Sequence, residues 1–357
     1  MSSHPLPSTA PSVSLEKKRR LNPIWQARLS RFRRNRLGVI SLVVFVLIFV
    51  ICMAANVIAN DKPLLVQYQG DYYFPVLKAY PETTFGGVFE TETNYKDPAV
   101  QRLINEQGFY VMPLIPFADQ TPNVELGIPY PAAPNSQNWL GTDDLGRDVL
   151  ARILYGMRIS LLFGIALTLA GAMIGIIVGA VQGYYGGWVD LAGQRFMEVW
   201  GGMPQLFMII ILVSLFSPSV FVLFAMMLLF GWMGLVGLVR AEFLRARNFD
   251  YVRAARNLGV SDRRIMLRHI LPNALASSLS QLPFILTANI IALTALDFLG
   301  YGLPPGSPSL GELMVQGKNN LDAPWLALSG FFSLTLILSL LIFVGEALRD
   351  AFDPRRS

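Results

Sequence analysis

A chain of 357 residues that is 53% hydrophobic and only 15% charged, with a mean hydropathy of +0.45, is not a soluble domain, which carries about 25% charge. The single cysteine, Cys52, excludes an internal disulfide framework or cysteine metal centre, and the two histidines, His4 and His269, argue against a histidine-based catalytic or metal site. The net charge of +5 is unevenly spread, and its placement sets the topology.

Residues 1–36 form a polar, basic tail in which Lys17, Lys18, Arg19, Arg20, Arg28, Arg31, Arg33, Arg34 and Arg36 are opposed only by Glu16. The apolar run that follows, 37–59, is long enough for an uncleaved membrane span, which needs about 20 residues. Residues 60–158 are too long for a linker. They are also rich in Tyr (Tyr68, Tyr72, Tyr73, Tyr80, Tyr95, Tyr110, Tyr130), which predicts a small folded insertion. A second span is expected over Ser160–Gly183. The apolar stretch Val199–Val239 is roughly 60 Å long as helix, twice the hydrocarbon thickness, so it is read as two spans broken at Ser217-Pro218-Ser219. Leu275–Leu296 and Trp325–Val344 complete six spans, with a membrane core over 159–348 and a short tail over 349–357. An all-α polytopic membrane protein results. Arg and Lys crowd the two termini and the 241–274 loop, while the short opposite connections hold only Lys318. That puts both ends and the loop on the cytoplasmic side and 60–158 outside.

Within the second span, Gly171, Gly175, Gly179 and Gly183 recur every four residues, a small-residue seam for close helix packing. Just before it, Gly141-Thr142-Asp143-Asp144-Leu145-Gly146-Arg147-Asp148 lacks the alternating oxygen ligands of a calcium loop. Its acids are expected to pair with Arg147 or Arg152. Gly311–Lys318 fails as a phosphate loop: five residues, not four, separate its glycines, and Asn319 follows the lysine. No nucleophile elbow or zinc-protease motif is present, and no cofactor is expected.

The most informative stretch is polar, Asn248–Asn273, between two apolar runs. Asp250 is expected to cap a first short helix whose apolar side is Tyr251, Ala254, Ala255 and Leu258. Gly259 sits where that helix ends and φ turns positive. Ser261 is expected to cap a second helix, with Asp262 in its first turn and Ile265, Met266 and Ile270 on its apolar side. A basic loop would explain the arginines but not two amphipathic turns hinged at a glycine, a shape suited to a partner's groove. The order Arg253-Ala254-Ala255, three residues, Gly259, a spacer, then Leu271-Pro272 resembles the "EAA" loop of bacterial ABC importer permeases. The usual leading glutamate is Arg253 here. Together with Tyr155–Ser160, Gly183–Gly187 and the terminal Gly345–Arg355, the 141–148 motif resembles the C-type permease of dipeptide, oligopeptide and nickel importers. The long insertion resembles that of the microcin C (peptide-nucleotide) importer permease.

The resemblance implies a type I importer permease of the bacterial inner membrane. It also implies a second permease subunit, cytoplasmic ABC ATPase domains, an extracytoplasmic solute-binding protein and a peptide-like cargo. ATPase coupling would fall on Asp250, Tyr251, Arg253, Ala254, Ala255, Leu258, Gly259, Ile265, Leu271 and Pro272. From the residues themselves, Ser277, Ser280, Gln281, Thr287, Thr294 and Asp297 form one polar stripe along the fifth span. Asn289 lies off it, and Pro283 can bend the helix at mid-depth. The stripe is read as lining the translocation path, against the alternative of an interhelical hydrogen-bond seam. A proton-coupled secondary transporter would carry mid-span ionisable groups and a repeat, and a membrane enzyme would carry a nucleophile–base pair. Neither feature is evident.

Overall fold

The computed structural model describes residues 23–352. The tail before Pro23 and the terminal Arg355 and Arg356 lie outside the described residues. Helix α1 (Pro23–Arg34) leads to α2 (Arg36–Met53), whose N-cap Asn35 accepts from Gly38 N at 3.0 Å, and a single turn α3 (Ala55–Ile58) follows. Helix α5 (Val149–Tyr185) is 37 residues long, about 55 Å, and so outruns the membrane at its ends. It starts eleven residues before the expected Ser160 because the Asp148 carboxylate caps it, accepting from Ala151 N at 2.7 Å. Burial pushes the Asp148 carboxyl above its ordinary value, against the pull of the Ala151 N–H and the Asn138 amide.

Beyond it come α6 (Gly187–Gly201) and α7 (Gln205–Ser214), bent by 73° where Pro204 interrupts the chain. Ser219 caps α8 (Val220–Gly231), a tight 3-10 turn at Trp232–Leu235 follows, and α9 (Val236–Ala246) continues. The short α10 (Asp250–Asn257) and α11 (Asp262–Arg264) precede a π turn at Ile265–Ile270, then α12 (Leu271–Leu279) and α13 (Leu282–Phe298). Pro272 explains the π turn: its ring clashes with the carbonyl four residues back, and widening the helix relieves the contact. Pro283, in the first turn of α13, breaks the helix at Ser280–Gln281 in the same way. Helices α14 (Leu310–Asn319) and α15 (Pro324–Phe352) close the chain.

Among the described residues, four helices are long and apolar enough to cross a membrane: Arg36–Met53, Val149–Tyr185, Val220–Ala246 and Pro324–Phe352. The bent pair α6–α7 would be a fifth as one broken span, and Leu282–Phe298 is shorter. A core of Leu161, Leu286, Ile290, Leu326, Ile337 and Leu341 ties α5, α13 and α15 together.

The glycine seam meets this chain's own residues 231–243. A methyl built on Gly175 would lie 2.5 Å from Trp232 O, on Gly179 2.8 Å from Val236 O, and on Gly183 2.5 Å from Arg240 O. At Gly171 the nearest atom is Gly231 O at 3.4 Å. Backbone packs on backbone there, which only glycine permits.

The fold is not wholly α. The insertion holds an antiparallel sheet of β1 (Leu65–Tyr68), β2 (Asp71–Tyr73) and β3 (Gly108–Val111), in the order β2-β1-β3, with α4 (Pro98–Gln107) beside it. Val66 pairs with Tyr73 on one side and Tyr110 on the other. The tyrosines account for its stability. Phe85, fully buried, meets Tyr68, Tyr73 and Tyr95 edge-on at centroid distances of 5.7, 5.3 and 5.7 Å.

The 141–148 motif is the foot of the insertion. Asp143 pairs with Arg147 at 2.7 Å and with Arg152 at 3.4 Å. Glu312, from α14, closes the set on Arg152 at 2.5 Å and on Arg147 at 3.3 Å. Asp143 and Arg152 are fully buried. The network fastens the start of α5 to α14, 160 residues away in sequence.

Candidate functional site

The corner at Asn248–Asn273 is built on a glycine. Gly259 has φ +77°, and no atom would lie within 4 Å of a Cβ added there, so the backbone conformation alone demands glycine. Its N–H donates to Arg256 O at 2.9 Å, and Val260 N donates to Ala255 O at 3.1 Å, the paired bonds of a Schellman close. Replacing Gly259 with valine should disfavour this corner by about 1–2 kcal/mol. On the importer resemblance, the expected result is a complex that assembles poorly or one whose ATP turnover no longer drives uptake in proportion. Wild-type uptake per ATP in Gly259→Val vesicles would count against the hinge.

Two details of the first helix differ from the sequence pattern. Phe249 is the N-cap residue and Asp250 falls in the first turn, where its charge suits the helix dipole. Ser261 does sit at the N-cap of α11, but its side chain makes no capping bond. The buried face of α10 is Val252, with Ala255 half-buried, whereas Tyr251, Ala254 and Leu258 point outward. Tyr251 is 43% exposed and Leu258 83%, so the apolar residues expected to pack inward form an open stripe. Arg253 is exposed beside it. Ile265 and Ile270 are buried, Leu271 is half-buried and Pro272 exposed. Ser261, Arg263, Arg264, Leu267 and Arg268 line a concavity of about 470 Å³ next to the corner.

The corner is anchored to the end of α5. Val252, Ile265, Ile270 and Ala274 share a core with Ala180, Tyr184 and Phe243. The Tyr184 hydroxyl donates to Asp262 Oδ1 at 2.5 Å, and the Arg256 guanidinium lies 5.4 Å from the Tyr184 ring centroid. Arg240 grips Asp190 with two bonds of 2.5 and 2.7 Å, joining α6 to α9. Tyr184 stood in the sequence within the quoted glycine-rich run, and nothing in its spacing pointed to Asp262.

The polar stripe divides. Ser277 lies in α12, and Ser280 and Gln281 lie at the break before α13. Ser280, Thr287 and Thr294 are buried within the chain. Thr287 donates to Pro283 O at 2.8 Å and Thr294 to Ile290 O at 2.9 Å. Asp297 accepts from Leu303 N at 2.6 Å. A hydroxyl that bonds its own helix one turn back can be buried at little expense, so a stripe of them is compatible with packing as well as with a path. The face of α13 that the chain leaves open carries Ile285, Ala288, Asn289 and Ala292.

Long apolar helices seamed by glycine, with an exposed corner hinged at Gly259 beside Arg263, Arg264 and Arg268, define a membrane-embedded protein. Residues 151–357 match the family described as binding-protein-dependent transport system inner membrane component, and the chain belongs to that family. Residues 24–75 match the N-terminal TM domain of oligopeptide transport permease C. The chain is 57% identical over 338 residues to the inner membrane ABC transporter permease protein YejE of Escherichia coli, covering 95% of this chain and 99% of that one. It is 50% identical over 360 residues to the peptidoglycan transport system permease protein YejE of Agrobacterium fabrum, covering 94% of each. To the oligopeptide transport system permease protein OppC of Haemophilus influenzae it is 38% identical over 227 residues, 63% of this chain and 73% of that one. The first two alignments are too long to omit the insertion.

Proposed function

We propose that this chain is one of two permease subunits of an ABC importer, and that it carries peptides or peptide-like compounds inward through the bacterial inner membrane. The observation that carries the reading is the exposed Tyr251–Ala254–Leu258 stripe hinged at Gly259, a surface shaped for a groove in a soluble ATPase. Arg263, Arg264 and Arg268 beside it suit an acidic rim on that partner. The coupling set is Asp250, Tyr251, Arg253, Ala254, Ala255, Leu258, Gly259, Ile265, Leu271 and Pro272. ATP is hydrolysed by the partner. Six spans are reached by taking α6–α7 as one broken span and α12–α13 as another, with both termini and the coupling corner in the cytoplasm. The proposed cargo is a peptide-like compound of the peptidoglycan or microcin C type: the Agrobacterium relative is named a peptidoglycan transport permease, and the insertion resembles that of the microcin C importer permease.

Uptake into vesicles with and without the co-purified ATPase tests the reading, and uptake driven by a proton gradient alone would end it. Ligand recovered from the purified complex with its receptor identifies the cargo.

The insertion is proposed to meet the receptor. Leu77 and Val88 are 84% and 86% exposed, and Tyr72, Phe74 and Phe89 of the same unit are exposed too, large apolar side chains available to a partner. Leu64 N donates to Val111 O at 2.8 Å, so the two ends of the unit adjoin and residues 66–110 can be replaced by a short Gly-Ser link. Membrane insertion should survive, and receptor affinity should fall about tenfold, the equivalent of 1.4 kcal/mol. Unchanged receptor affinity would make the unit a bystander.

A further inference from the structure

Three interruptions of the membrane helices converge on one cavity of about 580 Å³ between α7, α8 and α13. Gln205 opens α7 after the 73° bend, Gly231 and Gly234 flank the start of the 3-10 turn after α8, and Ile285 is in the first turn of α13 after its break. At hydrocarbon depth, backbone released from a helix must face protein or a wet cavity, so interruptions that meet at one hollow mark it as polar-accessible. The lining confirms a mixed character. Its polar side chains are two carboxamides, Gln205 and Asn289, and no charged residue lines it. Asn289 Nδ2 donates to Thr168 Oγ1 at 2.9 Å, which fixes the amide plane, and its Oδ1 faces Gly231. Gln205 is exposed, and its side chain makes no hydrogen bond among the described residues. The remaining wall is apolar, including Leu206, Met233 and Ala292.

We propose that this cavity is the cargo-contact site of this subunit, and that Asn289 and Gln205 read the amide groups of a peptide-like cargo. The inference rests on the importer reading above and deepens it. A carboxamide offers both a donor and an acceptor, the complement of a peptide bond whatever side chain accompanies it. The uncharged wall leaves terminal and side-chain charges unselected at this point. The site lies on the face of α13 opposite Thr287 and Thr294, so the hydroxyl stripe serves as the helix's packed side and the amide face as its open one.

The test uses the whole complex of both permeases, ATPase and receptor in vesicles, in a Cys52→Ala background. Gln205→Cys, Asn289→Cys and Ala292→Cys should react with a small charged thiol reagent, to an extent that changes with nucleotide, while Ser280→Cys, Thr287→Cys and Thr294→Cys stay protected. Reaction of the second set with protection of the first would return the path to the hydroxyl stripe. A crosslink from position 289 to the second permease in every nucleotide state would make the cavity a subunit seam. Either result overturns the proposal. In parallel, Asn289→Leu combined with Gln205→Leu should lower tri-alanine uptake about tenfold, with receptor-stimulated ATP turnover within about twofold of wild type. Asn289→Asp should raise the uptake of Lys-Ala-Ala relative to Glu-Ala-Ala about tenfold. Wild-type uptake with these variants unchanged refutes the site alone. Uptake by the wild type without its ATPase refutes the importer reading instead.

Discussion

Gly183→Val should prevent the α5–α9 pair from forming and leave little intact protein in the membrane. A Cβ on Gly183 would sit 2.5 Å from Arg240 O and 2.6 Å from Phe243 Cβ. Both belong to the partner helix itself, so no flexible side-chain tip can move aside. The helices would have to separate along the entire seam, and overpacking of this kind costs about 1–3 kcal/mol and sometimes more. Separation also undoes the contacts of Gly175 and Gly179, which are equally close. Gly183→Ala should be intermediate. Gly237 is the control on α9, because a Cβ there meets nothing within 4 Å. Gly237→Ala should be neutral or mildly stabilising, since alanine is the better helix former by about 1 kcal/mol. Thermal aggregation of the detergent-extracted protein measures the series. Equal midpoints for Gly183→Val and Gly237→Ala would show that the seam does not hold the helices.

The second large effect is expected at Arg152. This side chain is fully buried, paired with Glu312 at 2.5 Å and Asp143 at 3.4 Å, and donates to Asp119 O at 3.0 Å and Ser307 O at 3.3 Å. The approach of Nε to Asp143 is an ion pair and not a hydrogen bond, since Nε has no hydrogen-bond partner. Arg152→Met keeps most of the volume but leaves two carboxylates with Arg147 alone. Removing one member of a buried ionic set costs about 3–5 kcal/mol. The double variant Arg152→Met, Glu312→Gln should recover part of the loss, because it removes the stranded charge. Thermal midpoints of the single and double variants decide the matter. A double variant no better than the single would mean that the arginine's packing matters and its charge does not.

Features with a local cause were legible in the sequence. Gly259 adopts its positive φ because it closes α10, with its own N–H and that of Val260 bonding back to Arg256 O and Ala255 O. The glycine register and the pairing of Asp143 with Arg147 and Arg152 were readable because each involves residues within nine positions of one another or one repeating spacing. What escaped needed knowledge of distant neighbours. Glu312 joins the ionic set from 160 residues away. Tyr251 and Leu258 have the spacing of a packed face and are exposed. An apolar stripe kept for another protein and one kept for the chain's own core have the same periodicity. The stripe on α13 shows the same ambiguity with polar groups, since Thr287 and Thr294 satisfy themselves on their own helix. The strands of the insertion were hidden because three or four residues are too few for an alternating pattern to register.

Helix α5 joins the two ends of the molecule. Tyr184 near one end holds Asp262 of the corner at Gly259, and Arg152 near the other holds Glu312 of α14. No helix break separates them, and the glycine-lined half nearer Tyr184 is braced against residues 231–243. The element therefore behaves as a pushrod about 55 Å long, with a rigid pin at either tip. A displacement of the Asp262 corner therefore meets no compliant joint within α5 before it reaches the ionic set of Asp143, Arg147, Arg152 and Glu312 at the other tip.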